Sequence, residues 1–328
     1  MGFFYFNMKI LIPDIHFNLS LRLAMALNAL GYKMIIPSKD YKPTYYGHTR
    51  KWCWNDSYTQ EFADKNYEYK NVLVLNKEEI LDIKPEAICL SAFETQFELL
   101  YELLPKLPKS TKVFAFSGND YAHPTWYPFY YLKNYLYGDL SAHEECQKHG
   151  IPNTLYYRPY LPTHIYKPSN SKRELVVSNF TCDFQRNFPD CYNFVKLLES
   201  QNPEVKHVYC DNRSNREVLD IMQSSLASIS AKPAEGIGFS IIESMACGTP
   251  VFLHRELSKR RSYTQWAIEG ETAFYISSPT EYRAKLKALI DSPDYRNWVH
   301  WNCAQKIREY INNEDQTLAL GKFLENLQ

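Results

Sequence analysis

Residues 226–253 read LASISAKPAEGIGFSIIESMACGTPVFL and leave the chain little freedom in how to fold. An apolar run, Leu226, Ala227 and Ile229, has the character of the end of a buried strand. A loop with Glu235, Gly236 and Gly238 follows. The pattern then predicts a helix over 239–246, stopped by Cys247-Gly248-Thr249-Pro250, and a new strand beginning with Val251, Phe252 and Leu253. Glycine just past a helix and proline soon after are stop signals.

Two carboxylates sit in this unit with seven residues between them, Glu235 on the loop and Glu243 on the helix. A helix N-terminus presents backbone N–H groups and the positive end of the helix dipole. Glycines at 236 and 238 allow a ligand close to the backbone. Together these favour an anion such as a diphosphate. A carboxylate one to two turns into the helix can accept hydrogen bonds from sugar hydroxyls, and one N-terminal to it can reach a second sugar. Two diols and a diphosphate make a sugar nucleotide. The competing interpretation is a solvated helix carrying two surface glutamates.

The E-x7-E pattern, followed by Ser244-Met245-Ala246-Cys247-Gly248-Thr249-Pro250-Val251, resembles the donor-binding signature of GT-B glycosyltransferases of the retaining family-four type. The resemblance is firm over 174–280 and loose over the first half. It implies an α/β GT-B fold: two Rossmann-like domains facing a cleft, with a C-terminal helix crossing back to the first. It implies that Glu243 holds the ribose, that Glu235 contacts the donor sugar, and that the amides of Gly236, Ile237, Gly238 and Phe239 hold the diphosphate. It also implies transfer without a metal. No cofactor is expected beyond the nucleotide-sugar donor, UDP- or GDP-linked.

The first half opens with a strand over 9–12, a loop over 13–18 and helical spacing at Leu19, Leu23, Ala26 and Leu30. Gly31 and a strand over 33–36 follow. Such a βαβ opening favours a parallel sheet, in which ligands sit at the carboxyl ends of strands. That places Asp14 and His16 at the mouth of a cleft, Asp14 as a candidate acceptor contact and His16 as a candidate catalytic group, although the resembling family has a glycine-rich loop here. Residues 41–58 break the periodicity and mix Arg50, Lys51 and His48 with Tyr45, Tyr46, Trp52 and Trp54. Aromatics interleaved with bases can stack a sugar or a nucleobase, or can pack locally beneath a loop. Strands are expected over 72–75, 87–90 and 113–116, and a helix over 95–104. Glu94 lies near one strand end. The loop after Phe116 is where the resembling family carries a histidine near the reacting sugar. Here Asn119 or Asp120 stands in that region, with His123 beyond. The aromatic run over 121–137 either lines an acceptor channel or forms core under a loop.

Residues 161–173 are proline-rich and polar, the best linker candidate. This gives an N-terminal acceptor-side domain over 1–160, a nucleotide-sugar-binding domain over 174–305 and a helical tail over 306–328. In the second domain Ser178-Asn179 stands where the family has a Gly-Arg pair, and Arg186-Asn187 matches the family's following Lys-Gly. Arg186 and Lys232 are thus candidate cations for the diphosphate, since a cation there stabilises the departing nucleotide. By the resemblance, 211–216 lies where the base is held. Lys259, Arg260 and Arg261 form a basic trio after a strand end.

The 328 residues suit about two domains. The net charge of zero provides no global field for nucleic acid or membrane. The eight cysteines are scattered without a C-x2-C pair, which suits free thiols in a reducing compartment. The first residues lack the features of a signal peptide, so a cytoplasmic setting is expected, that of a host cell if the protein is viral. Asn18, Asn55, Asn179 and Asn212 lie in N-x-S/T sequons that carry no weight without secretion.

The function expected is retaining transfer of a hexosyl or pentosyl group to a hydroxyl of a saccharide or small metabolite. A sharper alternative is a hydroxymethylated base in viral DNA, because T-even phage DNA glucosyltransferases share the architecture. The segment 41–58 and the basic trio would grip phosphates and receive a flipped base. Other classes are a non-catalytic nucleotide-sugar-binding protein, and a GT-B epimerase or phosphorylase.

Overall fold

The computed structural model describes residues 8–12, 17–37, 65, 69–91, 101–117, 132–138, 140–170, 172–181, 184–211, 213–232, 238–258 and 265–328. The chain divides into two compact units, one of Met1–Tyr160 with Asn313–Gln328 and one of Leu161–Asn312.

Among the described residues the first unit contains a seven-stranded sheet. Its strands are β1 (Lys9–Leu11), β2 (Lys33–Pro37), β3 (Val72–Leu75), β4 (Ala87–Ser91), β5 (Lys112–Ser117), β6 (Asn134–Tyr137) and β7 (Asn153–Tyr156). They lie in the order β3-β2-β1-β4-β5-β6-β7, and every neighbouring pair is parallel. Runs such as Ile10-Leu11 and Met34-Ile35-Ile36 are buried, as a parallel sheet covered on both faces requires. Helix α1 (Phe17–Ala29) returns from β1 to β2, and Gly31 turns the chain with φ 75°. Helix α2 (Lys77–Ile83) is closed by a reciprocal capping box between Asn76 and Glu79. Helix α3 (Leu140–Lys148) joins β6 to β7, and His143 on it packs its ring near Tyr156.

The aromatic run over 121–137 ends in β6, whose residues 134–137 are fully buried core, one of the two readings of the run, and form a strand rather than a loop; residues 121–131 lie outside the described residues. Tyr at alternate positions of Asn-Tyr-Leu-Tyr hides the period of two. The rings of Tyr135 and Tyr137 stack on one face, 5.6 Å apart.

The C-terminal helix, Asn313–Glu325, belongs to this first unit. It lies against α1, where Gly321 faces Leu30 so closely that a Cβ would sit 3.1 Å from Leu30 Cδ2. Phe323 meets Phe114 edge-on at 5.7 Å. Asn134 and Asn153 are opposite each other in the β6–β7 register, and their side chains hold the chain end. Asn153 Nδ2 donates to Asn134 Oδ1 at 3.0 Å and faces the carbonyls of Phe323 and Asn326 at 3.3 Å. The Gln328 N–H donates to Asn134 Oδ1 at 3.1 Å. Both asparagines begin their strands, so the chain end sits at the amino end of the sheet, while Gln316, in the first turn of the same helix, accepts the Arg158 N–H just beyond the carboxyl end of β7 at 2.8 Å.

The second unit holds a five-stranded parallel sheet of β8 (Glu174–Asn179), β9 (Lys206–Tyr209), β10 (Ser225–Ser230), β11 (Val251–His254) and β12 (Ala273–Ile276). The order is β12-β11-β10-β8-β9. Its helices are α4 (Phe184–Asn187), α5 (Pro189–Ser200), α6 (Asn215–Ser224), α7 (Phe239–Ala246), α8 (Arg255–Ser258), α9 (Pro279–Asp291) and α10 (Pro293–Tyr310). Phe252 packs between Phe274 and Tyr282, at 5.2 and 4.7 Å. Residues 161–170 pack into this unit through buried Leu161, Ile165 and Tyr166. Arg308 Nη2 donates to the Tyr166 carbonyl at 3.1 Å.

Candidate functional site

In the second sheet, the chain leaves β8 for β9 on one side and then reaches β10 on the other. The carboxyl ends of β8 and β10 flank this reversal, the place where an open α/β sheet receives a ligand. Asn179, the last residue of β8, stitches the two strands there and is 2% exposed. Its Nδ2 donates to the Ile229 carbonyl of β10 at 3.2 Å. Its Oδ1 accepts the Thr181 N–H at 2.9 Å, and its carbonyl accepts the Cys210 N–H at 2.9 Å. The Asn-Phe-Thr sequon is therefore a buried Asx turn, in which an asparagine side chain bonds the backbone two residues on.

Strand β10 leads to Lys232, which is half-buried, and α7 opens at Gly238. Gly238 adopts φ 66° and ψ 49°, a left-handed conformation where an N-cap residue is ordinarily extended. It supplies no side-chain cap, and its carbonyl accepts the N–H groups of Ile241 and Ile242, both at 3.0 Å. Helix α7 is buried from Ile241 to Ala246, a layer position that suits Ile-Ile, Ser-Met-Ala and little else. The exception is Glu243, a carboxylate 6% exposed within that helix. The interpretation of Glu243 as a solvated surface group does not fit this burial, because a buried carboxylate needs polar partners.

The far end of α7 is fixed by cations. Arg173 donates from Nη2 to the Cys247 carbonyl at 2.6 Å and from Nη1 to the Ser225 carbonyl at 2.8 Å and Thr249 Oγ1 at 2.5 Å. Arg308 Nη2 donates to the Ala246 carbonyl at 3.2 Å. Two guanidinium groups thus cap the negative end of the helix whose positive end opens at the strand reversal. Burial brings Arg173 down only to about 10, so it stays protonated near neutrality. Gly248 takes φ 77° between these groups, and a Cβ there would lie 3.0 Å from Arg173 Nη2 and from the His300 carbonyl. His300 Nε2–H donates to the Leu226 carbonyl at 3.0 Å, and burial, helped by the neighbouring Arg173, pushes its pKa down to about 3. Burial and the nearby Glu243 push the Cys247 thiol up to about 12, which leaves it protonated and inert.

Arg186 stands exposed on α4, after β8. The two candidate cations, Arg186 and Lys232, therefore follow the carboxyl ends of neighbouring strands. In the segment 213–220, Arg213 pairs with Glu217 at 3.9 Å and Arg216 with Asp220 at 3.2 Å, so these cations serve α6. Glu235, Gly236 and Ile237 lie outside the described residues. So do His16, Asn119 and Asp120, and the acceptor-side Asp14, Glu94, Arg50, Trp52, Trp54 and Arg260. Among the described residues, Cys89, Cys146, Cys191, Cys210, Cys247 and Cys303 form no disulfide, and no cluster of three or more His, Cys, Asp or Glu is placed to hold a metal. Among the described residues no helix is long and apolar enough to cross a membrane.

Sequence reasoning missed Asn179 and Arg173. The signal for Asn179 was present, since an asparagine at the end of an apolar run also marks an Asx turn. Arg173 had no local signal, because its partners are 52 to 76 positions away.

No protein-family model and no curated protein matches the sequence. Solved structures do. A glycosyltransferase from Rickettsia africae ESF-5 is 14% identical with TM-score 0.61, over 98% of this chain and 98% of that one. The sucrose-phosphate synthase of Thermosynechococcus elongatus is 11% identical with TM-score 0.59, over 97% of this chain and 98% of that one. A variant of S. aureus TarM, solved with fondaparinux, alpha-GlcNAc-glycerol and UDP, is 10% identical with TM-score 0.58 over 75% of this chain. The match spans 57% of TarM's own length. At these identities the likeness is one of fold, and the chain has the α/β GT-B fold that glycosyltransferases share.

Proposed function

We propose that this protein is a retaining, metal-independent glycosyltransferase. It moves a sugar from a UDP- or GDP-linked donor to a hydroxyl of a saccharide or small metabolite. The observation that carries the reading is α7: a left-handed glycine opens it beside the strand reversal, a buried Glu243 lies one turn in, and guanidinium groups cap its other end. The GT-B fold adds support.

In this reading Glu243 accepts hydrogen bonds from the ribose diol. The amides of Gly236, Ile237, Gly238 and Phe239 hold the diphosphate, with Arg186 or Lys232 opposing its growing charge. Glu235 positions the donor sugar. The acceptor oxygen bonds to the anomeric carbon on the face from which the diphosphate leaves. As the carbon–oxygen bond to the diphosphate breaks, its electron pair stays on the phosphate oxygen, which takes the acceptor's proton.

The test is incubation with UDP- and GDP-sugars, soluble saccharides, and a DNA duplex containing hydroxymethylated pyrimidines, with and without EDTA. Mass spectrometry finds the product and NMR gives its anomeric configuration. A glycosylated saccharide or metabolite with retained configuration in EDTA, lost in Glu235→Ala, is expected. Sugar on the duplex would move the acceptor to DNA. Consumption of no donor, despite nucleotide binding, would make the protein a binding protein.

A further inference from the structure

We infer that Asn179 is a positioning residue for the nucleotide diphosphate, acting through Arg186; the inference rests on the function proposed above. Three strand ends and one loop meet on this side chain and its own peptide. Nδ2 reaches β10, the carbonyl receives the first N–H beyond β9, and Oδ1 draws in the Thr181 N–H where the chain leaves β8. All three bonds are buried, where an unmade bond costs most.

The segment that Asn179 launches is anchored again by Phe184, which is 1% exposed and meets Tyr192 edge-on at 5.8 Å. Between this anchor and the start of α5, the chain presents Arg186 to solvent. No side-chain hydrogen bond or ion pair fixes Arg186 among the described residues. Arg186 takes its position from the backbone of α4, which Phe184 anchors and which follows the Asn179 turn in the chain. A glycine here would leave the turn unanchored. An aspartate would keep the acceptor for Thr181 but turn a second acceptor toward the Ile229 carbonyl.

A double-mutant cycle on the full chain tests this, with UDP and GDP as titrants in calorimetry. For whichever nucleotide the wild type binds, Asn179→Ala and Arg186→Ala are each expected to weaken binding about tenfold. The double variant is expected to bind no worse than Arg186→Ala alone, because two residues acting through one contact are not additive. Asn179→Ser, whose hydroxyl can still accept the Thr181 N–H, is expected to recover part of the loss and serves if the alanine variant does not fold. A loss near a hundredfold in the double variant would make Asn179 merely structural and overturn the inference. Wild-type affinity in either Asn179→Ala or Arg186→Ala would also overturn it. A wild type that binds neither UDP nor GDP overturns the nucleotide-sugar reading itself, and this inference with it.

Discussion

Gly248 has little room for a side chain. Its φ of 77° favours glycine, and a Cβ would press on a backbone carbonyl, that of His300, as well as on Arg173. Gly248→Ala is expected to destabilise the protein by about 1–3 kcal/mol in urea unfolding, from left-handed strain plus the displaced guanidinium. Next to it, His300 makes stability depend on pH. Its folded pKa of about 3 lies below the value of about 6.5 expected in the unfolded chain, so on acidification the unfolded chain takes up the proton first. The stability it contributes is complete above about pH 6.5 and is lost as pH falls toward 3. His207, pushed by burial down to about 4, adds to the same slope. His300→Gln keeps a donor for the Leu226 carbonyl, so it is expected to flatten, without abolishing, the slope of unfolding free energy between about pH 6.5 and 4. An unchanged slope would mean that His300 is not the group titrating.

At the scale of the element, α7 joins folding to the proposed chemistry. Its only carboxylate lies in a stripe that packing alone would make apolar, so Glu243→Gln is expected to fold as the wild type and to weaken nucleoside diphosphate binding about tenfold, read by calorimetry. A weakened fold with unchanged affinity would assign Glu243 to structure instead. The bounds of α7 were readable in the sequence because glycines and a proline mark both ends and the apolar run between them is continuous. Strand β8 was readable for a similar reason, a β-branched pair bounded by polar residues. Strand β6 was not, because tyrosine fits strand, helix and loop alike. Helix α2 was missed although its Asn76-x-x-Glu79 box marks a helix start, since seven residues give too little periodicity to read. The strand reversal beside Asn179 was also hidden. Strand order depends on contacts between distant residues, and nothing local in the sequence states that β10 rather than β9 will pair with β8 on its inner side.

At the scale of the whole molecule, the two units differ in how the chain supplies them. The second is the continuous stretch Leu161–Asn312, while the first takes its last helix from the far end of the chain. Removing 313–328 strips Leu320, Phe323 and Leu324 from the first unit and leaves Asn134 and Asn153 without the carbonyls of the tail. Each buried apolar side chain of this size contributes about 1.5–3 kcal/mol. Three of them approach the whole stability of an ordinary domain, about 5–15 kcal/mol. The truncated protein is therefore expected to exchange amide hydrogens far faster in α1 and β5–β7, while β8–β12 keep their protection. Nucleoside diphosphate affinity is expected to survive, because the proposed donor residues, from Arg186 to Glu243, lie in the second unit. Faster exchange spread evenly over both sheets would show instead that the two units unfold together, and that the tail stabilises the chain as a whole rather than the sheet it covers.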